Sequence, residues 1–193
     1  MKYVNQLEYT HWLYKTHVED EGGRPSTVRS SGCGLCSAVM VADRLLPNCQ
    51  FDIADAIDLS YAVEANHLIG TDYDRFVPAF AEKLGLKFAM TSDPLALREC
   101  LRTGGAAVAY VTGKNPERVG LFTRRTHYIA IIGEESDGRI AVLDPSYKEG
   151  KYEEEGRAGK VEVKNGVIAL CSLKVLEEEI VTHAPGFYLF WRK

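Results

Sequence analysis

The sequence predicts an α+β fold, with helices in the first half and a mostly antiparallel sheet in the second. Three observations carry that expectation. Between residues 33 and 104 apolar side chains recur at helical spacing. Beyond residue 105 they gather into short continuous runs, as buried strands do. Two links between those runs contain Asp-Gly or Asn-Gly, the strongest short hairpin signals. Segregated helices and strands are the mark of α+β rather than of an alternating fold. The expected organisation is one domain over residues 1–193, with a helical part at about 30–104 and a sheet part at about 105–193. Helices are expected on one side of the sheet.

The elements follow in order. "YTHWLYKTHV" is aromatic-rich, and the polar "EDEGGRPSTVRSSG" after it reads as a surface loop leading into a helix. From Cys33 onward Ala38, Val39, Val41, Ala42, Leu45 and Leu46 can bury a broad helical face, and Pro47 and Asn48 end it. Residues 52–67 form a second helix with Asp52 as its cap. In "GTDYDRFVPAFAEKLGL", Phe76, Phe80 and Leu84 recur every four residues, and Gly85 closes that helix. "KFAM" is a short strand. "DPLALRECLRTGG" is a helix capped by Asp93, opened by Pro94 and followed by glycines. "AAVAYV" is a buried strand. "HYIAIIG" and "RIAVLDP" make a hairpin across "EESDG", "KVEVKNGVIAL" makes another, and "GFYLFWR" closes the chain as an aromatic strand.

Composition narrows the class of protein. A hydrophobic fraction of 46% and a charged fraction of 26% are those of a globular protein. A net charge of −4 argues against a dedicated nucleic-acid surface. "TRRTH" and "YEEEG" read as solvated loop charges. No segment approaches the ~20 apolar residues of a membrane span, and the N-terminus lacks a secretory apolar core and cleavage site. The expectation is a cytoplasmic protein that neither enters a membrane nor binds nucleic acid. Five cysteines is an odd number and argues for reduced thiols rather than a disulfide framework.

The chemistry centres on "SSGCGLCSAVMV", residues 30–41. A redox dithiol would follow a buried strand, but the preceding "RPSTVRSSG" is polar and turn-like. A structural zinc needs more ligands at short spacing, and Cys49, Cys100 and Cys171 stand alone. A nucleophile gains from a helix N-terminus, whose dipole and free N–H groups favour the thiolate, and Cys33 occupies one. Gly32 and Gly34 would let a substrate backbone approach closely. The Cys33 N–H could donate to an oxyanion. His127 opens the strand "HYIAIIG", and Asp144 ends the partner strand, so the hairpin brings them together. Taken singly, each has a plainer reading: a small buried thiol, a polar surface imidazole, a turn-forming Asp-Pro. Their joint occurrence favours function.

These stretches together resemble the stand-alone relatives of the double-glycine leader peptidases, a branch of the papain-like cysteine peptidases common in bacteria. The matching segments are "SGCGLCSAVMV", "GTDYDRFVPAFAEKLGL", "THYIAIIG" and "DGRIAVLDPS", spanning residues 26–146. The resemblance implies a papain-like fold, Cys33 as nucleophile, His127 as general base and acid, and Asp144 as the residue that orients His127. It implies hydrolysis of a peptide or isopeptide bond through a thioester, a peptide or protein substrate, and no metal or organic cofactor. Two positions depart from the family pattern. Leu35 and Cys36 stand where a proline and a small residue are usual, which leaves a reversible Cys33–Cys36 disulfide as a hypothesis. Thr27 stands where many relatives have an oxyanion glutamine, which makes Ser31, Ser30 and Thr27 candidate hydroxyl donors. Arg124 and Arg125, in the loop before His127, are expected to border the cleft and favour acidic substrates. Tyr128, Trp12 and Trp191 are expected to be packing residues. An amidase or acyltransferase on the same scaffold, a non-catalytic binding module and a dithiol redox protein are the competing classes.

Overall fold

The computed structural model describes residues 1–19, 25–67, 70–115 and 117–193, with backbone alone for 15–19 and 25. The chain opens with a 3-10 turn, Gln6–Glu8, and a strand pair in which β1 (Leu13–Glu19) runs antiparallel to β2 (Pro25–Thr27). A short helix, α1 (Val28–Ser31), then passes through Gly32 into α2 (Cys33–Leu45). The junction needs glycine: a Cβ at position 32 would lie 2.7–2.8 Å from the side chain and backbone of Val28.

Side-chain caps set the next elements as their chemistry requires. The Asp52 carboxylate accepts from the N–H groups of Ala54 and Asp55 to start α3 (Ile53–Ala62). That helix stops before the expected residue 67, because residues 66–67 form β3 (Asn66–His67), paired with β4 (Gly70–Thr71). Asp72 caps α4 (Tyr73–Leu84), and Gly85 ends it in the left-handed region at φ 64°. β5 (Leu86–Thr91) and α5 (Pro94–Arg102) follow, the latter capped by Asp93 with Pro94 in its first turn. The chain continues through β6 (Ala106–Thr112), β7 (Thr126–Glu134), β8 (Ile140–Leu143), β9 (Glu162–Lys164) and β10 (Ile168–Cys171). It closes with α6 (Leu173–Glu179), unannounced by any sequence signal used above, and β11 (Phe187–Arg192).

Seven strands form one antiparallel sheet in the order β5-β11-β6-β7-β8-β10-β9. Its two faces are both buried, which corrects the expectation of helices on one side. Ala106, Val108, Tyr128, Ala130 and Leu143 pack with α2, α3 and α4, whereas Ala107, Ala109, Ile129, Ile131 and Val142 pack with α5 and α6. The reason lies in the strands, which are continuous apolar runs and would leave a greasy face exposed under one-sided cover. An aromatic column of Phe51, Phe76, Phe80 and Phe190 holds α3 and α4 against the sheet. No helix among the described residues is long and apolar enough to cross a membrane.

Candidate active site

Two rigid parts of the fold converge on the site: the first turn of α2 and the start of the β7–β8 hairpin. In that hairpin Ala130 faces Leu143, and one extra residue on β7 between Ile131 and Gly133 makes a bulge. Asp144 follows directly on β8 and reaches His127 across the pair. The His127 Nε2 lies 2.8 Å from Asp144 Oδ1 and 3.1 Å from Ser146 Oγ. His127 and Asp144 are buried, and Cys33 is part-exposed at the N-terminus of α2. Cys33 and His127 line the same cleft, and the thiol and the ring act on each other electrostatically. With Nε2 committed to Asp144 and Ser146, Nδ1 is the nitrogen left for the sulfur.

The electrostatics favour a thiolate–imidazolium pair. Burial opposes the Cys33 thiolate, but the hydrogen bond and charge of His127, with backbone hydrogen bonds at Tyr128 and Gly34, hold the thiol below its ordinary value. Burial likewise opposes the imidazolium. Hydrogen bonds and charge from Asp144 and Cys33 outweigh it and raise His127 to about 9. Asp144 is buried too, yet it is held far below the usual carboxylate range, first by the Lys151 ammonium and then by His127.

Asp144 has more partners than a triad requires. Its Oδ1 accepts from the Ser146 N–H (2.8 Å) and hydroxyl (3.0 Å), and its Oδ2 from Lys151 Nζ (2.5 Å) and the Tyr152 hydroxyl (2.8 Å). The Tyr3 hydroxyl donates to the Asp144 carbonyl, tying the N-terminal segment to the same corner. Each lone pair of the carboxylate is thereby used, as burial of an ion demands.

In front of Cys33 and His127 lies a cleft of about 190 Å³, lined also by His67, Gly70, Thr71, Asp72, Tyr110, Thr126 and Tyr128. Tyr128 is therefore both core and wall: its ring stacks between Tyr73 at 4.2 Å and Tyr110 at 4.5 Å. Gly34 does serve close approach, but to the protein itself. A Cβ there would stand 2.9 Å from Thr71 Oγ1 and from the Tyr73 ring, and the Tyr73 hydroxyl donates to the Gly34 carbonyl at 2.6 Å. Gly32 is likewise consumed by Val28. Trp12 is nearly half exposed and meets Tyr9 edge-on, while the Trp191 indole N–H donates to Thr103.

The three hydroxyls considered for the oxyanion lie in α1 and its cap, outside the cleft lining. Ser30 Oγ accepts from the Thr27 N–H and donates to the Thr27 carbonyl, and Ser31 Oγ accepts from Ser26 Oγ at 2.8 Å. Arg124 is exposed and faces Glu154 at 3.9 Å, and neither it nor Arg125 lines the cleft. A residue that sequence reasoning overlooked ties this corner together. Gln6 is buried; its side-chain N–H₂ donates to the Arg29 carbonyl at 2.8 Å, and its backbone N–H donates to Pro145 at 2.8 Å. It thus bridges α1, which leads into Cys33, and the residue after Asp144. Only an amide–loop contact closed over many residues puts it there, and local sequence carries no sign of that.

Among the described residues no group of three or more His, Cys, Asp or Glu side chains is placed to hold a metal ion. Cys36 is fully buried, and burial together with the Cys33 charge pushes its thiol well above the ordinary range.

No protein-family model matches the chain, and no curated protein is similar to it in sequence. Solved structures do match. The peptidase domain of Streptococcus ComA, described as a bifunctional ABC transporter involved in a quorum-sensing pathway, aligns with a TM-score of 0.51 at 17% identity. That alignment covers 83% of this chain and 91% of the domain. A C39-like peptidase from Bacillus anthracis aligns over 100% of this chain and 94% of its own length, with a TM-score of 0.49 at 9% identity. The chain accordingly has the papain-like cysteine peptidase fold of the ComA peptidase domain.

Proposed function

We propose that the protein is a cysteine hydrolase that cleaves a peptide or isopeptide bond through a thioester on Cys33. The observation that carries this reading is that Cys33 and His127 share one cleft wall, with the His127 ring held by the buried Asp144. In the first half-reaction the Cys33 thiolate attacks the substrate carbonyl carbon, and the carbonyl electron pair moves onto oxygen. The Cys33 N–H at the start of α2 is the donor assigned to that oxyanion. As the intermediate collapses, the imidazolium gives its proton to the leaving amine and a thioester remains. His127 then takes a proton from water, the hydroxide attacks the thioester, and the acid is released as the thiolate reforms. Asp144 holds the ring so that Nδ1 faces the sulfur throughout.

The fold shared with a peptidase domain supports this reading, and so does the full burial of Cys36, which pushes its thiol up and would make it a poor resolving partner for redox exchange. Rapid acid quench of the protein with a peptide library, read by intact mass, tests it. An acyl adduct confined to Cys33 and absent from Cys33→Ala is expected. Cleavage that persists unchanged in Cys33→Ala would contradict it.

A further inference from the structure

A buried lysine stands on the far side of the Asp144 carboxylate from His127. Lys151 comes from the turn-rich segment after β8, and its side chain is only 6% exposed. Its ammonium lies 2.5 Å from Asp144 Oδ2 and 2.8 Å from Ser146 Oγ, and that same hydroxyl lies 3.1 Å from His127 Nε2. Cys33, His127, Asp144 and Lys151 therefore form a row of four groups whose charges alternate in sign once the thiol has given its proton to the imidazole.

A lysine in this place has two consequences. The carboxylate cannot rotate away from the imidazole, because Lys151 and Tyr152 hold Oδ2 while His127 and Ser146 hold Oδ1. And the aspartate is already neutralised by a cation before the imidazolium forms, so it stabilises that second cation less than a lone carboxylate would. We propose that Lys151 is a positioning residue for His127, fixing the Asp144 carboxylate and restraining the charge that it lends to the imidazolium. The proposal rests on the reading of Cys33 and His127 given above.

Other ionisable groups face the row. Cys36, Tyr14, Tyr73 and Tyr128 surround Cys33; Tyr3 and Tyr152 flank Asp144; Glu154 and Arg157 lie beyond Lys151. Burial and the neighbouring anions hold the tyrosines and Cys36 protonated, and Glu154 pairs with Arg157 at 3.0 Å. Lys151 is thus the cation that bears on Asp144 from this side.

The test is the pH profile of Cys33 alkylation by iodoacetamide in wild type, Lys151→Met, Lys151→Gln and Lys151→Arg, with thermal melts to establish folding. A thiolate–imidazolium pair gives two steps, the upper one marking loss of the imidazolium proton. In Lys151→Met and Lys151→Gln the upper step moves up by about one pH unit or more, as expected for unit charges bridged by one hydroxyl, 2.8 Å from Lys151 and 3.1 Å from His127, in a partly polar interior. Gln keeps a donor for Asp144 and Ser146, so it reports charge even if Met fails to fold. Lys151→Arg restores the wild-type upper step. A lowered melting temperature with an unmoved upper step in either neutral variant overturns the inference and leaves Cys33 and His127 standing. A single step at the ordinary thiol value in wild type overturns both.

Discussion

Replacing Asp144 by Asn should be far more damaging to stability than the loss of one surface charge. Asp144 is inaccessible to solvent and accepts from His127, Ser146, Lys151 and Tyr152. The amide keeps the shape and removes the anion, so Lys151 is left as a buried cation whose closest partner is neutral. Breaking one side of a buried ion pair costs about 3–5 kcal/mol. In a chain of this length each kcal/mol corresponds to roughly 2–4 °C, so the melting temperature should fall by about 6–20 °C. The double variant Asp144→Asn with Lys151→Met removes the stranded cation and should recover more than half of the loss. The sign of a pH dependence adds a second check. Burial already holds Lys151 below its ordinary value, and without its anion it falls further, so the unfolded chain binds the extra proton and the single variant gains more stability than wild type as pH rises toward the lysine range. Urea unfolding of the four proteins in the cycle measures both. A single variant within about 1 kcal/mol of wild type, or additive losses in the double variant, would refute the electrostatic account of this corner.

Other predictions follow from the same geometry. Cys33, lowered, contributes stability that is complete above its unfolded value of about 8.5 and is lost as pH falls through its folded value. His127, raised to about 9, contributes stability that is complete below about 6.5 and is lost as pH rises through its folded value. The two slopes oppose each other, so urea midpoints of wild type should be flat between about pH 6.5 and 8.5, and those of Cys33→Ser should decline; a flat profile in both would be wrong for this site. Gln6→Ala should cost about 1–3 kcal/mol in urea unfolding, because the Arg29 carbonyl loses its buried donor, and an unchanged midpoint would mean that the bridge between α1 and the segment after β8 is dispensable. Gly34→Ala should cost about 1–3 kcal/mol in urea unfolding, because the new methyl presses on Thr71 and Tyr73. A neutral result there would mean that β4 and α4 yield freely.

What was legible in the sequence is what depends on neighbours along the chain. Asp52 and Asp93 as caps, Gly85 as a helix end and the Asp137-Gly138 turn all act within a few residues, and each appears where local chemistry puts it. The hairpin logic carried His127 to Asp144 for the same reason, since antiparallel register is counted from the turn. Gln6 and Lys151 were not legible. Gln6 acts through a contact 23 residues away, with Arg29, and lies in a segment that offers only aromatics to a reader. Lys151 sits in "KEGKYEEEG", whose charges read as solvated; burial of one lysine among them is decided by the tertiary position of Asp144. The two-sided cover of the sheet was visible in the unbroken apolar runs, but which helices supply the second layer depends on topology.

The central claim is that Cys33 is an activated nucleophile paired with His127, and the rate of Cys33 alkylation against pH tests it most directly. Iodoacetamide labelling read by intact mass, in wild type and His127→Ala, needs no knowledge of the substrate. Rapid labelling of Cys33 well below the free-thiol value of about 8.5 is expected, with loss of that advantage in the absence of His127. Labelling of Cys33 that follows an ordinary thiol titration, with no difference between the two proteins, would contradict it.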